Sequence, residues 1–127
     1  METPGEGSMS TLVLGAPRAP ALAEVETWIG WRVDDVHGSV IGRVESIRQD
    51  PHGRPLWLIV CRFHFGEGRR FAIPAGDAVG SSGRVWSPHR RERIRATAAL
   101  VDAGFTPQTD RRLLSHFVGS AGADRAA

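Results

Sequence analysis

Residues 30–44 read GWRVDDVHGSVIGRV, with three glycines, two adjacent aspartates and a histidine set between apolar residues. A phosphate-cradling loop would place such glycines between a strand and a helix N-terminus, as in G-x-G-x-x-G or G-x-x-x-x-G-K-[ST]. Neither pattern occurs, and the chain contains no lysine. A calcium loop needs oxygen ligands at alternate positions and a closing glutamate, whereas this stretch offers two neighbouring aspartates followed by apolar residues. It reads instead as two strands joined by a tight turn. Trp31–Val36 forms the first, His37-Gly38 turns the chain where glycine takes positive φ, and Ser39–Gln49 returns with Val40, Ile41, Val44 and Ile47 apolar. Gly42 inside the second strand marks a bulge or a sharp bend.

The pattern continues in both directions. DPHGRP at 50–55 is a second turn, because proline presets φ after Asp50 and Gly53 closes it. Leu56–Phe65 is the most apolar strand, GEG at 66–68 turns into Arg69–Ile73, and Pro74 ends that strand. GSSG at 80–83 leads to a short strand, Arg84–Trp86. Short strands joined by tight turns predict a mainly β fold, a small antiparallel barrel over residues 24–86. Beyond it, Ser87 as N-cap and Pro88 at the first position predict a helix over PHRRERIRATAALV (88–101), burying Ile94, Ala98 and Val101. Thr106 and Pro107 repeat the signal for a helix over 106–119, stopped by Gly119, with an apolar stripe of Leu113, Leu114, Phe117 and Val118. This C-terminal helical extension covers 87–119. Residues 1–23 are Gly-, Pro-, Ser- and Ala-rich and predict a flexible arm in which Met9 is a second candidate start. The small, polar stretch 120–127 predicts a disordered tail.

Composition bounds the chemistry. The 127 residues allow one modest core. The formal net charge is only +2, although the pI is about 9.9. All sixteen basic residues are arginine, so nothing basic titrates below very high pH and the pI overstates the charge. The single cysteine, Cys61, cannot form an intramolecular disulfide and implies a reduced, cytoplasmic setting. No run reaches the roughly 20 apolar residues of a membrane span, nor a signal-peptide core.

Motifs for catalysis or metal binding are weak. Cys61 and His64 have half of a zinc-site spacing, but residues three apart on a strand face opposite ways and no second pair completes a tetrahedron. His37, His52, His89 and His116 are scattered over turns and helices. GSSG is not the G-x-S-x-G elbow. The sequence therefore assigns no catalytic residue, metal ligand or cofactor. Two surfaces stand out. On a helix, Arg91 and Arg95 lie one turn apart with Arg90 and Arg93 on neighbouring rows, a candidate partner-binding face for an anionic partner; the competing reading is a solvated face partly neutralised by Glu92. The strand Leu56–Phe65 is apolar on both sides, with Leu56, Leu58 and Val60 on one and Trp57, Ile59, Cys61, Phe63 and Phe65 on the other. A barrel has one interior, so the row Trp57, Ile59, Phe63 and Phe65 is a candidate for self-association as a homodimer, unless Leu113, Leu114 and Phe117 lie across it.

The spacing G-x-x-V-x-D-x-x-G-x-x-I-G-x-V from Gly30 to Val44 resembles the PRC-barrel family, which includes the H subunit of photosynthetic reaction centres and the C-terminal domain of a ribosome-maturation factor. So do the D-x-x-G-x-P turn, the strand ending in IP, the V-W-S-P entry to a helix and the closing H-F. The resemblance covers roughly residues 27–119. Ala75 stands where an aromatic is common, RATAAL lacks the usual proline, and HFVG is looser than the usual HYG. Within this likeness Gly38 makes the hairpin turn, Asp35 holds it by side-chain-to-backbone hydrogen bonds, and Gly42 permits strand curvature. The resemblance implies a non-enzymatic interaction module that docks onto a protein assembly. An RNA- or ribosome-associated factor is the alternative. It is expected less because the N-terminal domain of the ribosome-maturation factor has no counterpart in this sequence, and no aromatic residues interleave with the arginines of RRERIR as single-stranded nucleic acid would require.

Overall fold

A computed structural model describes residues 19–62 and 68–126 of the chain, and for 119–126 the backbone alone. A short helix α1 (Leu22–Glu26) precedes six strands: β1 (Arg32–Asp34), β2 (Val40–Gln49), β3 (Pro55–Cys61), β4 (Arg70–Pro74), β5 (Val79–Ser81) and β6 (Arg84–Trp86). Three helices follow, α2 (Arg91–Arg95), α3 (Ala98–Asp102) and α4 (Pro107–Ala126). The expected outer parts of the third strand, Phe63 and Phe65 included, lie outside the described residues, as do residues 1–18 of the arm.

The chain is mainly β, but the expected antiparallel barrel is not what forms. The strands make one mixed sheet in the order β4-β3-β2-β1-β6-β5, with two edges and no closure. Most neighbours are antiparallel, whereas β1 and β6 run parallel, pairing Arg32 with Arg84, Val33 with Val85 and Asp34 with Trp86. At the β4 edge the amide of Ala72 donates to Thr97 Oγ1 at 2.9 Å, so a side chain from the helical segment takes a place that a strand would occupy in a barrel. Pro74, at the end of β4, has no N–H to offer.

The turn at the centre of 30–44 is built by one carboxylate. Asp35 Oδ1 accepts the amides of His37 (3.0 Å) and Ser39 (2.8 Å), and Gly38 takes φ +82°. These bonds draw the amides away from the ladder and end β1 at Asp34. In β2 the register passes from Val33–Gly42 to Asp34–Val40, leaving Ile41 as the extra residue of a bulge. A Cβ on Gly42 would sit 2.1 Å from the carbonyl oxygen of Cys61, so only glycine lets β2 and β3 approach this closely.

Strand register sorts the side chains into two faces. Val33, Val44, Leu58, Val60, Phe71, Ile73 and Val85 share the inner face and are buried. Trp28, buried against Gly80 of β5, and Val25 of α1 close that core. Residues 22–26, which span the expected boundary between the flexible arm and the barrel, are thus helical and partly buried because Val25 and Trp28 are apolar anchors.

The outer face divides. Over β3 and β4 it is covered by the helices: Leu113 and Phe117 are buried, and the Phe117 ring centroid lies 6.0 Å from that of Trp57. Trp57 Nε1 donates to Asp110 Oδ1 at 3.1 Å, and Arg48 grips both oxygens of the same carboxylate at 3.1 and 2.9 Å. Trp57 and Ile59 are 2% and 4% exposed, which corrects the expectation that these two are free for self-association. α4 and the α2–α3 corner cover them within one chain, and the other two residues of the expected row lie outside the described residues. Leu114 and Val118, expected in the buried stripe, point to solvent instead.

The predicted helix 88–101 is two helices. Thr97 sits buried at the break, donating its hydroxyl to the Ile94 carbonyl (2.7 Å) while accepting the Ala72 amide. The Thr97 hydroxyl thus takes a helix carbonyl, a local bond that bends helices, and the Ala72 amide at the sheet edge fixes it there. The first helix starts at Arg91 rather than Pro88; Ser87 Oγ accepts the His89 amide at 3.3 Å before it. Thr106 caps α4 as expected, its Oγ1 accepting the Thr109 amide at 3.1 Å. α4 runs past Gly119 to Ala126. Its two interior glycines, Gly119 and Gly122, cost only about 1 kcal/mol each relative to alanine, and Ala121 and Ala123 favour helix. No helix among the described residues is long and apolar enough to cross a membrane.

Candidate functional site

The four arginines of RRERIR do not form one face. α2 is a single turn holding Arg91, Arg93 and Arg95, and Arg90 precedes it in extended conformation. Arg91 and Arg93 are half-buried; Arg90 and Arg95 are exposed. The backbone of this turn is clamped. Asp35 Oδ2 accepts the Arg91 amide at 3.1 Å, and His116 Nε2 donates to the Arg93 carbonyl at 2.8 Å. Asp35, itself 2% exposed, therefore joins the β1–β2 turn to the start of α2. Its role is structural, and so are those of Gly38 and Gly42 beside it.

A second group of arginines comes together that the sequence keeps apart. On the outer face, register places Arg43 of β2 opposite Arg32 of β1, and Arg32 opposite Arg84 of β6. This makes a row of three guanidinium side chains across three adjacent strands. The next row on the same face holds Val40, Asp34, Trp86 and, through the β5–β6 pairing, Val79. Asp34 is 1% exposed and lies beneath the arginines, with Arg32 Nε at 2.6 Å from Oδ1 and Arg84 Nε at 3.5 Å from Oδ2. Its buried charge is acceptable only because both partners stay in place. Arg43 donates to the Gly30 carbonyl at 3.0 Å, a neutral acceptor. Like charges directly opposite destabilise a strand pair, and here one carboxylate pairs with two of the three cations while Arg43 has only a neutral acceptor.

Apolar side chains surround this row. Trp86 is 39% exposed with the Arg84 guanidinium 5.6 Å from its ring centroid, and Val36, Val40 and Val79 are each about half exposed. Tryptophan and arginine are the residue types that dominate binding hot spots. An exposed Trp in a row with exposed valines and beside a row of arginines, on a sheet face that no described helix covers, is the arrangement such sites use. The period-two pattern of Arg32-Val33-Asp34 and Arg84-Val85-Trp86 was visible in the sequence; the parallel pairing that unites them was not.

A concave feature lies elsewhere. A groove of about 310 Å³ runs between the ends of β3 and β4 and α4, lined by Leu56, Trp57, Leu114, Phe117 and Val118. At one end His89 Nε2 meets Asp77 Oδ2 at 2.9 Å, and the His89 ring packs 4.7 Å from that of Phe117. His89 is buried and its amide is bound by Ser87 Oγ, so this pair braces the groove wall.

Cys61 is buried, and desolvation raises its thiol pKa above the ordinary value; Glu45 adds to the effect. It is an inert packing residue at neutral pH. Donating to the Asp110 carboxylate raises the Arg48 pKa, and donating to Glu45 raises the Arg70 pKa. Glu45 and Arg70 pair through 2.5 and 3.2 Å bonds on the outer face. Among the described residues no group of three His, Cys, Asp or Glu side chains could hold a metal ion. His64, the partner considered for Cys61, lies outside the described residues.

No family model matches the chain, and no curated protein matches it.

Proposed function

We propose that the chain is a non-enzymatic docking module, a PRC-type unit whose sheet stays open, and that it binds a protein partner through the outer face of β1, β6 and β5. The exposed Trp86, in one row with the exposed Val40 and Val79, carries this reading. A tryptophan left at the surface forgoes the burial of a large apolar ring unless a partner covers it. The PRC likeness, which rests on the motifs between Gly30 and Phe117, supports the same class of role. An RNA-associated role is favoured less. Single-stranded nucleic acid binds to aromatic rings in succession, and this face has one ring, with Arg84 already over it.

The test is co-purification of tagged wild type, Trp86→Ala and Arg54→Ala from the expressing cells. Arg54 is exposed on the 50–55 turn, away from this face. A stoichiometric protein recovered with wild type and Arg54→Ala, and lost with a Trp86→Ala variant of unchanged thermal midpoint, is the expected result. Equal recovery with all three, or no stoichiometric partner, overturns the proposal.

A further inference from the structure

The charge on the docking face allows the partner to be described chemically. We infer that the face accepts an extended segment of a partner protein in which acidic residues alternate with apolar ones; this rests on the docking reading above. Two parallel rows cross the strands, Arg43–Arg32–Arg84 and Val40–Asp34–Trp86–Val79. In the first row three cations face one buried carboxylate, Asp34, while Glu45 on the same face is held by Arg70. Among the described residues the row therefore has positive charge in excess, and an anionic group from outside would relieve the cross-strand repulsion. Nε of Arg32 and Nε of Arg84 point to Asp34, which orients their remaining N–H donors away from it, and Arg84 and Arg32 are 45% and 40% exposed. The guanidinium fork matches a carboxylate in two parallel hydrogen bonds.

Geometry selects the form of the ligand. Adjacent strands lie about 4.8 Å apart, so the arginine row spans about 10 Å across two gaps. In an extended chain, side chains on one side recur every ~6.7 Å, so two carboxylates two residues apart fit within the row. The intervening side chains point the other way, toward the second row, about the same distance along the strands. There Trp86, Val40 and Val79 offer apolar contact and the sole carboxylate is buried. A nucleic acid strand would meet the arginines with phosphates but would find valines where it needs stacking platforms.

The experiment measures binding of the purified full chain to fluorescein-labelled peptides of about eight residues alternating Glu with Val and Phe. Controls replace every Glu by Gln or by Lys, and an oligothymidylate of about twelve nucleotides tests the nucleic-acid source. The Glu peptide is expected to bind, to weaken at least about tenfold between roughly 50 and 300 mM salt, and to exceed the Lys peptide by more than tenfold. Arg43→Glu should weaken it by about tenfold or more, and because Arg43 bonds only a carbonyl this variant leaves Asp34 paired. Arg43→Gln, a milder change, should give an intermediate loss. Equal binding of the Gln peptide, lost in Trp86→Ala, overturns the acidic inference and leaves the docking reading intact. Tighter binding of the oligonucleotide overturns the inference in favour of nucleic acid. Failure of every probe to bind below about 1 mM overturns it too, while the docking reading is then decided by co-purification.

Discussion

Replacing Asp35 by alanine removes three bonds at once. Its carboxylate accepts the amides of His37 and Ser39 within the turn and that of Arg91 at the start of α2. The two turn bonds are each worth about 1 kcal/mol net. Loss of a side-chain acceptor at a helix start costs about 1 kcal/mol, up to about 2. His37 is exposed, so water replaces the lost acceptor there, whereas the Arg91 backbone is half-buried. The sum is about 3 kcal/mol for Asp35→Ala. Asp35→Asn separates the roles: its one carbonyl oxygen still serves the turn, while its NH2 group faces the Arg91 amide donor to donor. That variant should lose about 1–2 kcal/mol. Urea unfolding followed by fluorescence of the buried Trp28 and Trp57 reads both, with an unchanged m-value. Amide exchange at Arg91 should accelerate in both variants, and at Ser39 in the alanine variant alone. A loss below about 0.5 kcal/mol for Asp35→Ala, or equal losses for the two variants, would refute this account of the turn.

Gly42→Ala should cost roughly 3 kcal/mol or more, since its Cβ meets backbone atoms of Cys61 and Arg62 that cannot swing away; thermal unfolding checks it, and a change within about 0.5 kcal/mol contradicts it. Asp110→Ala leaves the buried Trp57 indole N–H without its acceptor and Arg48 without its fork, so a loss of about 2–3 kcal/mol is expected in urea, with α4 the first element to lose exchange protection. Because burial raises the folded thiol pKa of Cys61, the unfolded chain ionises first as pH rises. The stability this contributes is complete below the unfolded thiol value of about 8.5 and declines above it. Thiol labelling at neutral pH should proceed only at the rate of unfolding, and rapid labelling of folded protein would contradict the burial.

Local chemistry was legible in the sequence where it was self-contained. The turn at 35–39, with Gly38, and the Thr106 cap each depend on residues a few positions apart, whereas the glycine at 42 is required by the Cys61 backbone of the neighbouring strand. What escaped depends on contacts between distant segments. At Thr97 the back-bond of its own hydroxyl to the Ile94 carbonyl bends the helix, and the distant Ala72 amide at an open sheet edge holds that hydroxyl in place. Trp57 and Ile59 alternated as an exposed strand row would, but α4 covers them because Asp110 and Phe117 both engage Trp57. The candidate face depends on β6 pairing parallel to β1, which brings Arg84 and Trp86 beside Arg32 and Asp34. Tight turns favour an antiparallel reading of every neighbour, and the longer return path from β1 to β6 carries no local signature.

The central claim is that the β1–β6–β5 face is where a protein partner sits. Site-specific photocrosslinking in the expressing cells tests it most directly, with benzoylphenylalanine placed in turn at Trp86, Val40 and Gln49. Trp86 and Val40 share the face, and Gln49 is exposed at the far end of β2. The account predicts one adduct of common mass at positions 86 and 40 and none at 49. Adducts of equal yield at all three positions, or none at 86 and 40, would contradict it.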